Sequence, residues 1–241
     1  MTAVALPLRC ARTLVDCVYP PACLLCGTSL PDSSSPLCPA CDTAMPRLLA
    51  PVCSRCGLGL AGAYDAQLTC TACQRHPPAF DQARAPFVYA RAVPDVIKAF
   101  KYHGRHRLGS WLAAQMVDAA RRHLPLEQVR AVVPVPLHWL KRRLRSLDPP
   151  AVLAWAMAKA LRLPCVALLR RIRWTATQTQ LTPTARVRNV EGAFRLRAGG
   201  RVDGGVLLID DVLTSGATAN ACANVLHAAG IAPVYVMAAA K

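Results

Sequence analysis

Eight of the twelve cysteines in this 241-residue chain form four Cys-x-x-Cys pairs: Cys23/Cys26, Cys38/Cys41, Cys53/Cys56 and Cys70/Cys73. Four thiolates from two such knuckles satisfy a tetrahedral Zn²⁺, and the short spacing between successive pairs suits a zinc ribbon. The pattern repeats. Cys23 to Cys53 is 30 residues, Cys38 to Cys70 is 32, and glycine follows the first pair of each copy, at Gly27 and Gly57. The repeat favours sequential pairing: Cys23, Cys26, Cys38 and Cys41 on one ion, and Cys53, Cys56, Cys70 and Cys73 on a second. Crossed pairing, or a single occupied site, is the alternative. A segment of this size buries too little apolar surface to fold alone, and each structural zinc supplies on the order of 10 kcal/mol instead. Disulfides suit a secreted mini-domain, which a sequence without a recognisable signal peptide does not suggest, and a redox pair needs one Cys-x-x-Cys opening a helix, which four regular pairs do not resemble. Cys10, Cys17, Cys165 and Cys222 sit in apolar settings and read as packing.

A second chemistry is written between Val206 and Thr218. Val206-Leu207-Leu208-Ile209 reads as a buried parallel strand, with Asp210 and Asp211 at its C-terminal end, where ligands bind in open α/β sheets. Thr214-Ser215-Gly216-Ala217-Thr218 then leads into a helix. Small residues there let backbone N–H groups and hydroxyls close on a phosphate at the positive helix N-terminus. Adjacent acids suit a vicinal diol and a hydrated Mg²⁺.

The elements that must hold these groups differ between the two halves. Before residue 80, prolines at 20–21, 31–36 and 77–78 punctuate a stretch with little material for a core. Beyond it, strands are expected at Pro86–Ala92, Ala131–Pro136, Val166–Leu169, Gly205–Asp210 and Pro233–Ala239. Helices are expected at Asp95–Tyr102, Leu108–Leu124, Ala151–Leu161, Thr184–Val190 and Ala217–Ala229, with a basic turn or helix at His138–Arg145. Alternating strands and helices predict an α/β fold, a parallel sheet flanked by helices. The expected organisation is an N-terminal amphipathic helix over 1–20, a cysteine-rich double zinc-ribbon region over 21–80, and the α/β domain over 81–241.

Charge follows the same division. The formal net charge is +16. Residues 1–83 carry Arg9, Arg12, Arg47, Arg55 and Arg75 against Asp16, Asp32, Asp42, Asp65 and Asp81, so the whole excess lies beyond them. Such a field favours phosphates, nucleotides or nucleic acid. Charged residues are 17% and hydrophobic ones 54%, which excludes a wholly disordered chain. There is no apolar run of about 18 residues and no basic leader before an apolar block. The sequence predicts a soluble cytoplasmic protein without a membrane span.

The Val206–Thr218 segment closely resembles the phosphoribosyl-diphosphate (PRPP) signature of type I phosphoribosyltransferases. The chain as a whole resembles the ComF family of competence-associated proteins, a double zinc ribbon followed by such a domain. Cys23–Gly27, Phe100–Arg105, Val133–His138, Leu169–Arg171 and Asn189–Phe194 carry the likeness over nearly the full length. The resemblance implies a phosphoribosyltransferase-type sheet that binds Mg²⁺–PRPP. Asp210 and Asp211 would contact the ribose hydroxyls, and Thr214, Ser215, Gly216, Ala217 and Thr218 would cradle the 5-phosphate. Val133–Pro136 would approach the diphosphate, with Lys101 and Arg105 as candidate phosphate contacts. It further implies DNA uptake, single-stranded DNA handling and a competence helicase or DNA-processing partner.

The strand would lie on Lys141, Arg142, Arg143, Arg145, Arg170, Arg171 and Arg173, with Trp139 and Trp174 as stacking platforms. An accessory or adaptor protein that keeps the pocket without turnover is the alternative. One departure stands out. After Lys141–Arg145 the family usually has Arg-Gly-Phe/Tyr-Asn-Gln, and this chain has Ser146-Leu147-Asp148-Pro149-Pro150. Two prolines there remove two N–H donors and stiffen the expected loop.

Overall fold

The computed structural model describes residues 20–32, 34–62, 68–102, 106–138, 147–173 and 189–241. The chain divides into two compact units, Met1–Met45 and Pro46–Lys241. The division falls between the two cysteine repeats, and the second Cys-x-x-Cys set belongs to the same unit as the α/β sheet.

In the first unit the described chain is a knuckle, a turn and the short helix α1 (Pro39–Thr43), with Leu30, Leu37 and Met45 buried. The second unit opens with a matching knuckle and α2 (Thr71–Arg75). Then follow β1 (Gln82–Arg84), α3 (Val93–Tyr102), α4 (His106–His123), β2 (Val129–Pro134) and α5 (Pro149–Leu161). The chain continues through β3 (Leu169–Arg171), β4 (Phe194–Leu196), β5 (Gly205–Val212), α6 (Ala217–Ala228) and β6 (Val234–Ala240).

Strands β1, β6, β5 and β2 form one parallel sheet in that order, and β3 and β4 form a separate antiparallel pair. This is the mixed α/β architecture with a parallel central sheet that the alternating pattern predicts. Successive strand side chains point to opposite faces. Val206 and Leu208 therefore join Val133, Val234 and Val236 in a core shared with Ala219, Cys222, Ala223 and Leu226 of α6 and with Leu169 and Phe194 of the small pair. Helices α4 and α5 pack against each other, with α5 also against β2 and β5 and α4 also against β6. On α3, buried Val93, Val96, Ile97 and Phe100 fall at i, i+3, i+4 and i+7, one helical face.

Several expectations shift. The strand predicted at Pro86–Ala92 lies earlier, at Gln82–Arg84, and only Phe87 extends the pairing, as an isolated bridge to Ala240 and to Arg47. Pro86 has no N–H to give the ladder. The Pro149-Pro150 pair is not a loop: the two residues occupy the first turn of α5, where a missing N–H costs nothing, and the Asp148 carboxylate accepts from the Ala151 N–H at 3.3 Å. The strand expected at Val166–Leu169 lies at Leu169–Arg171, paired with β4, while Cys165 and Val166 make only an isolated bridge to Val132 of β2. Most of the helix expected at Thr184–Val190, the N-terminal helix over 1–20 and the His138–Arg145 element beyond His138 lie outside the described residues.

Candidate functional site

Among the described residues, two clusters could hold a metal ion: Cys23, Cys26, Cys38 and Cys41, and Cys53, Cys56, Cys70 and Cys73. In each the four Sγ atoms lie within 4.8 Å of one another. The same hydrogen bonds build both. The Cys23 and Cys53 carbonyls accept from Gly27 and Gly57 N–H at 2.9 Å, closing the knuckle, and Leu24 and Ser54 N–H reach Pro36 and Leu68 across to the second pair. Cys38 and Cys70 cap α1 and α2, so Cys41 and Cys73 return one turn later on the same side. Gly27 (φ +76°) and Gly57 (φ +68°) take the left-handed conformation that turns the knuckle.

Cys26 and Cys38 sulfurs lie 3.7 Å apart, as do those of Cys56 and Cys70. Zinc–sulfur bonds of about 2.3 Å in a tetrahedron place the sulfurs roughly 3.8 Å apart. The thiols of each cluster sit in unequal surroundings. The Thr28 hydroxyl and N–H hold the Cys26 thiol down to about 6. Cys53 sits near 6 despite its burial, because the N–H groups of Cys70, Cys56 and Arg55 hold its thiolate. Burial and the neighbouring sulfurs push Cys41 and Cys73 up. Four thiolates cannot share so small a volume without a cation between them. The two four-cysteine sites fit two structural zinc ions, paired sequentially.

The second candidate site stands at the C-terminal edge of the parallel sheet. Asp210 pairs in register with Ala238 of β6, and Val135 N–H donates to the Ile209 carbonyl at 2.9 Å, which brings Val133–Pro136 beside the two acids. The Asp210 carboxylate accepts the Asp211 N–H at 2.8 Å. Lys101, from the last turn of α3, pairs with Asp211 at 2.6 Å. Burial works against its charge, but Asp211, helped by Asp210, raises the Lys101 ammonium above its usual range. Lys101 is thus engaged by an acid of the signature. Arg171 is half-buried, with its guanidinium 5.3 Å from the Phe194 ring centre and its charge acting on Asp210. Arg170 and Arg173 are exposed, and Arg173 donates to the Asn189 carbonyl at 3.2 Å.

The Thr214–Thr218 segment carries the chain from β5 into α6. Thr214 and Ser215 are exposed, Gly216 caps α6 at φ +77°, and the Ala217 N–H donates to the Ser215 hydroxyl at 3.4 Å. The first-turn N–H groups of a 12-residue helix thus open toward the same edge as the acids. Arg105, Lys141, Arg142, Arg143, Arg145, Trp139 and Trp174 lie outside the described residues. Residues with no sequence signal also enter: Arg84, buried, donates to the Cys53 and Ser54 carbonyls at 3.4 and 3.1 Å, placing its charge beside the second cluster.

Asp210 gives a pH signature. Burial and the adjacent Asp211 charge push its carboxyl up to about 7, against the pull of the Asp211 N–H, Lys101 and Arg171. A folded pKa above the unfolded one means the native state holds the extra proton between pH ~4 and ~7. The stabilisation this proton gives is complete below that window and lost as pH rises through 7. Asp210→Asn should therefore gain melting temperature relative to the parent at pH 8 and show no gain at pH 4. A difference independent of pH would contradict the assignment.

Fold and sites together define a parallel-sheet α/β protein with an acid-acid–loop–helix edge and two four-cysteine ribbons. Residues 14–74 match the double zinc ribbon domain family. The chain is 31% identical over 186 residues to the DNA utilization protein YhgH of Salmonella typhimurium, covering 74% of this chain and 79% of that protein. It is 27% identical over 179 residues to Competence protein F of Haemophilus influenzae, covering 71% and 78%. The chain belongs to this Competence protein F/YhgH family. A solved structure titled as the allosteric regulatory enzyme of purine biosynthesis is similar over 54% of this chain and 25% of that one, at 19% identity and a TM-score of 0.35. No helix among the described residues is long and apolar enough to cross a membrane.

Proposed function

We propose that the protein is a cytoplasmic, phosphoribosyltransferase-like member of its family that binds Mg²⁺–PRPP at Asp210–Thr218 and acts on incoming single-stranded DNA during uptake. The observation that carries the pocket is the meeting of Asp210, Asp211, the Gly216-capped start of α6 and Val133–Pro136 on one sheet edge. In this reading the two acids accept from the ribose hydroxyls, and the Thr214–Thr218 loop holds the 5-phosphate at the helix N-terminus. Val133–Pro136 borders the diphosphate. Transfer would break the bond from C1 to the diphosphate and form one from C1 to an acceptor nucleophile, with Mg²⁺ neutralising the leaving group. The names of the relatives, a competence protein and DNA utilization proteins, support the link to DNA. Calorimetry with Mg²⁺–PRPP is the direct test, with an absence of heat and of saturation as the refuting result.

A second reading, binding without transfer, is favoured by Pro149 and Pro150. The family's Gly-aromatic-Asn-Gln is replaced by Leu147-Asp148-Pro149-Pro150, of which Asp148 caps a helix and the two prolines form its first turn. An assay of diphosphate release across candidate bases separates the two readings. The DNA contact rests on the basic run Lys141, Arg142, Arg143 and Arg145, toward which a competence helicase or DNA-processing partner would deliver the strand. Replacing Arg142, Arg143 and Arg145 by alanine is expected to weaken binding and to lower the slope of log affinity against log salt by about 2, at about 0.7 per lost phosphate contact. An unchanged slope would remove this cluster from the interface.

A further inference from the structure

The second four-cysteine cluster is tied to the phosphate loop through a segment of six residues, Pro78–Ala83. Arg55 lies between two of the ligands, Cys53 and Cys56. The same residue grips the segment at both ends. Its guanidinium donates to the Pro78 carbonyl at 3.2 Å, and its own carbonyl accepts the Ala83 N–H at 2.7 Å. Between these anchors the segment touches the start of α6 twice. The Ala79 N–H donates to the Asn220 side-chain oxygen, and the Phe80 ring, 2% exposed, lies beneath Gly216, 3.5 Å from where a Cβ there would stand. Cys56 packs against the same core cluster as Phe80. A side chain at Gly57 would meet the Ala83 carbonyl at 2.5 Å, so the knuckle is seated on β1 with no room to spare. The first cluster belongs to the other compact unit.

We propose that Arg55, Phe80 and Asn220 are positioning residues for the Thr214–Thr218 loop, and that metal at Cys53, Cys56, Cys70 and Cys73 is thereby coupled to sugar-phosphate binding. The coupling to ligand rests on the reading of that loop as a phosphate site; the coupling of metal to loop order does not. The physical argument is that a knuckle fixed by its ion fixes Arg55, and Arg55 fixes the two contacts that hold the loop's helix start. Loss of the ion frees the knuckle, and the loop must then be ordered by the ligand at a cost in affinity. Linkage requires the reverse effect as well: ligand on the loop tightens metal at this cluster.

The test uses the full chain with its zinc, following hydrogen exchange at amides 214–218 without ligand and, separately, affinity for Mg²⁺–PRPP. Cys73→Ser is expected to lose one zinc, to speed exchange in the loop about tenfold and to weaken binding about tenfold, within the usual range of coupling. Cys41→Ser, the matching position of the first repeat, should lose one zinc and leave loop exchange unchanged. Asn220→Ala, with both zinc ions kept, should speed loop exchange, and Asn220→Asp should restore it, since a carboxylate accepts the same N–H. The Asn220 pair carries the test if Cys73→Ser does not fold. Equal effects from Cys41→Ser and Cys73→Ser, or normal loop exchange in Asn220→Ala, would overturn the proposal. A parent protein that binds no PRPP overturns the ligand reading instead, and the exchange results still decide the coupling.

Discussion

The double variant Asp210→Asn/Asp211→Asn will lose affinity for Mg²⁺–PRPP by about two to four orders of magnitude while keeping the fold. The size follows from two charged hydrogen-bond acceptors, each worth about 1.5–3 kcal/mol, removed from the proposed sugar site. The fold survives for different reasons at the two positions. Asp210 is carried protonated up to about pH 7, so an amide there replaces a group that already resists charge. Asp211 pairs with Lys101, and its neutralisation leaves a largely covered ammonium with a weaker partner, a loss of about 1–3 kcal/mol. Calorimetry at pH 8, with circular dichroism and a thermal melt alongside, checks both halves. Unchanged affinity in the variant would remove the two acids from the binding site.

Zinc carries the second large effect. Purified protein should contain two zinc ions per chain, and a strong chelator should unfold the first ribbon outright. Leu30, Leu37 and Met45 are the largest buried apolar side chains of its described part, too few to replace about 10 kcal/mol of metal binding. The second ribbon should resist longer, because Gly57 and Arg55 are pinned against β1 and Arg84 offsets the charge of its thiolates. Elemental analysis during stepwise chelation, read against exchange in residues 20–45 and 53–84, distinguishes the two. A ratio near one in the untreated protein, or release of both ions in a single step, would refute the ordering.

The two prolines that open α5 illustrate how far a local pattern reaches. Pro149 and Pro150 stand where family resemblance places a loop, and loop is what two consecutive prolines suggest in isolation. With Asp148 ahead of them as a cap they begin a helix instead, since the first-turn N–H groups have no intrahelical acceptor. Lys101 shows a different limit. Its type and its place in the Phe100–Arg105 family segment mark it for a phosphate, but whether it faces solvent or an acid depends on how α3 docks on the sheet, which no spacing encodes.

What the sequence by itself determined is therefore everything governed by short-range repetition or by one uninterrupted segment. The four cysteine pairs, the β5 strand with its two acids and the α6 loop all lie within stretches whose spacing and residue types dictate geometry, whereas the sequential grouping of the pairs, which the repeat only favoured, came from the structure. The alternation of strands and helices was enough for the parallel sheet. The tertiary structure alone decided which unit each ribbon joins, since the two repeats are nearly identical as ligand sets and differ only in what packs on them. Gly27 has nothing within 4 Å of the position a Cβ would take, while Gly57 faces the Ala83 carbonyl. It also decided the neighbours of Asp210 and Asp211, drawn from α3 and β3, both remote along the chain. Contacts of that separation arise from the burial of whole faces against one another, a collective free energy that local propensity does not contain.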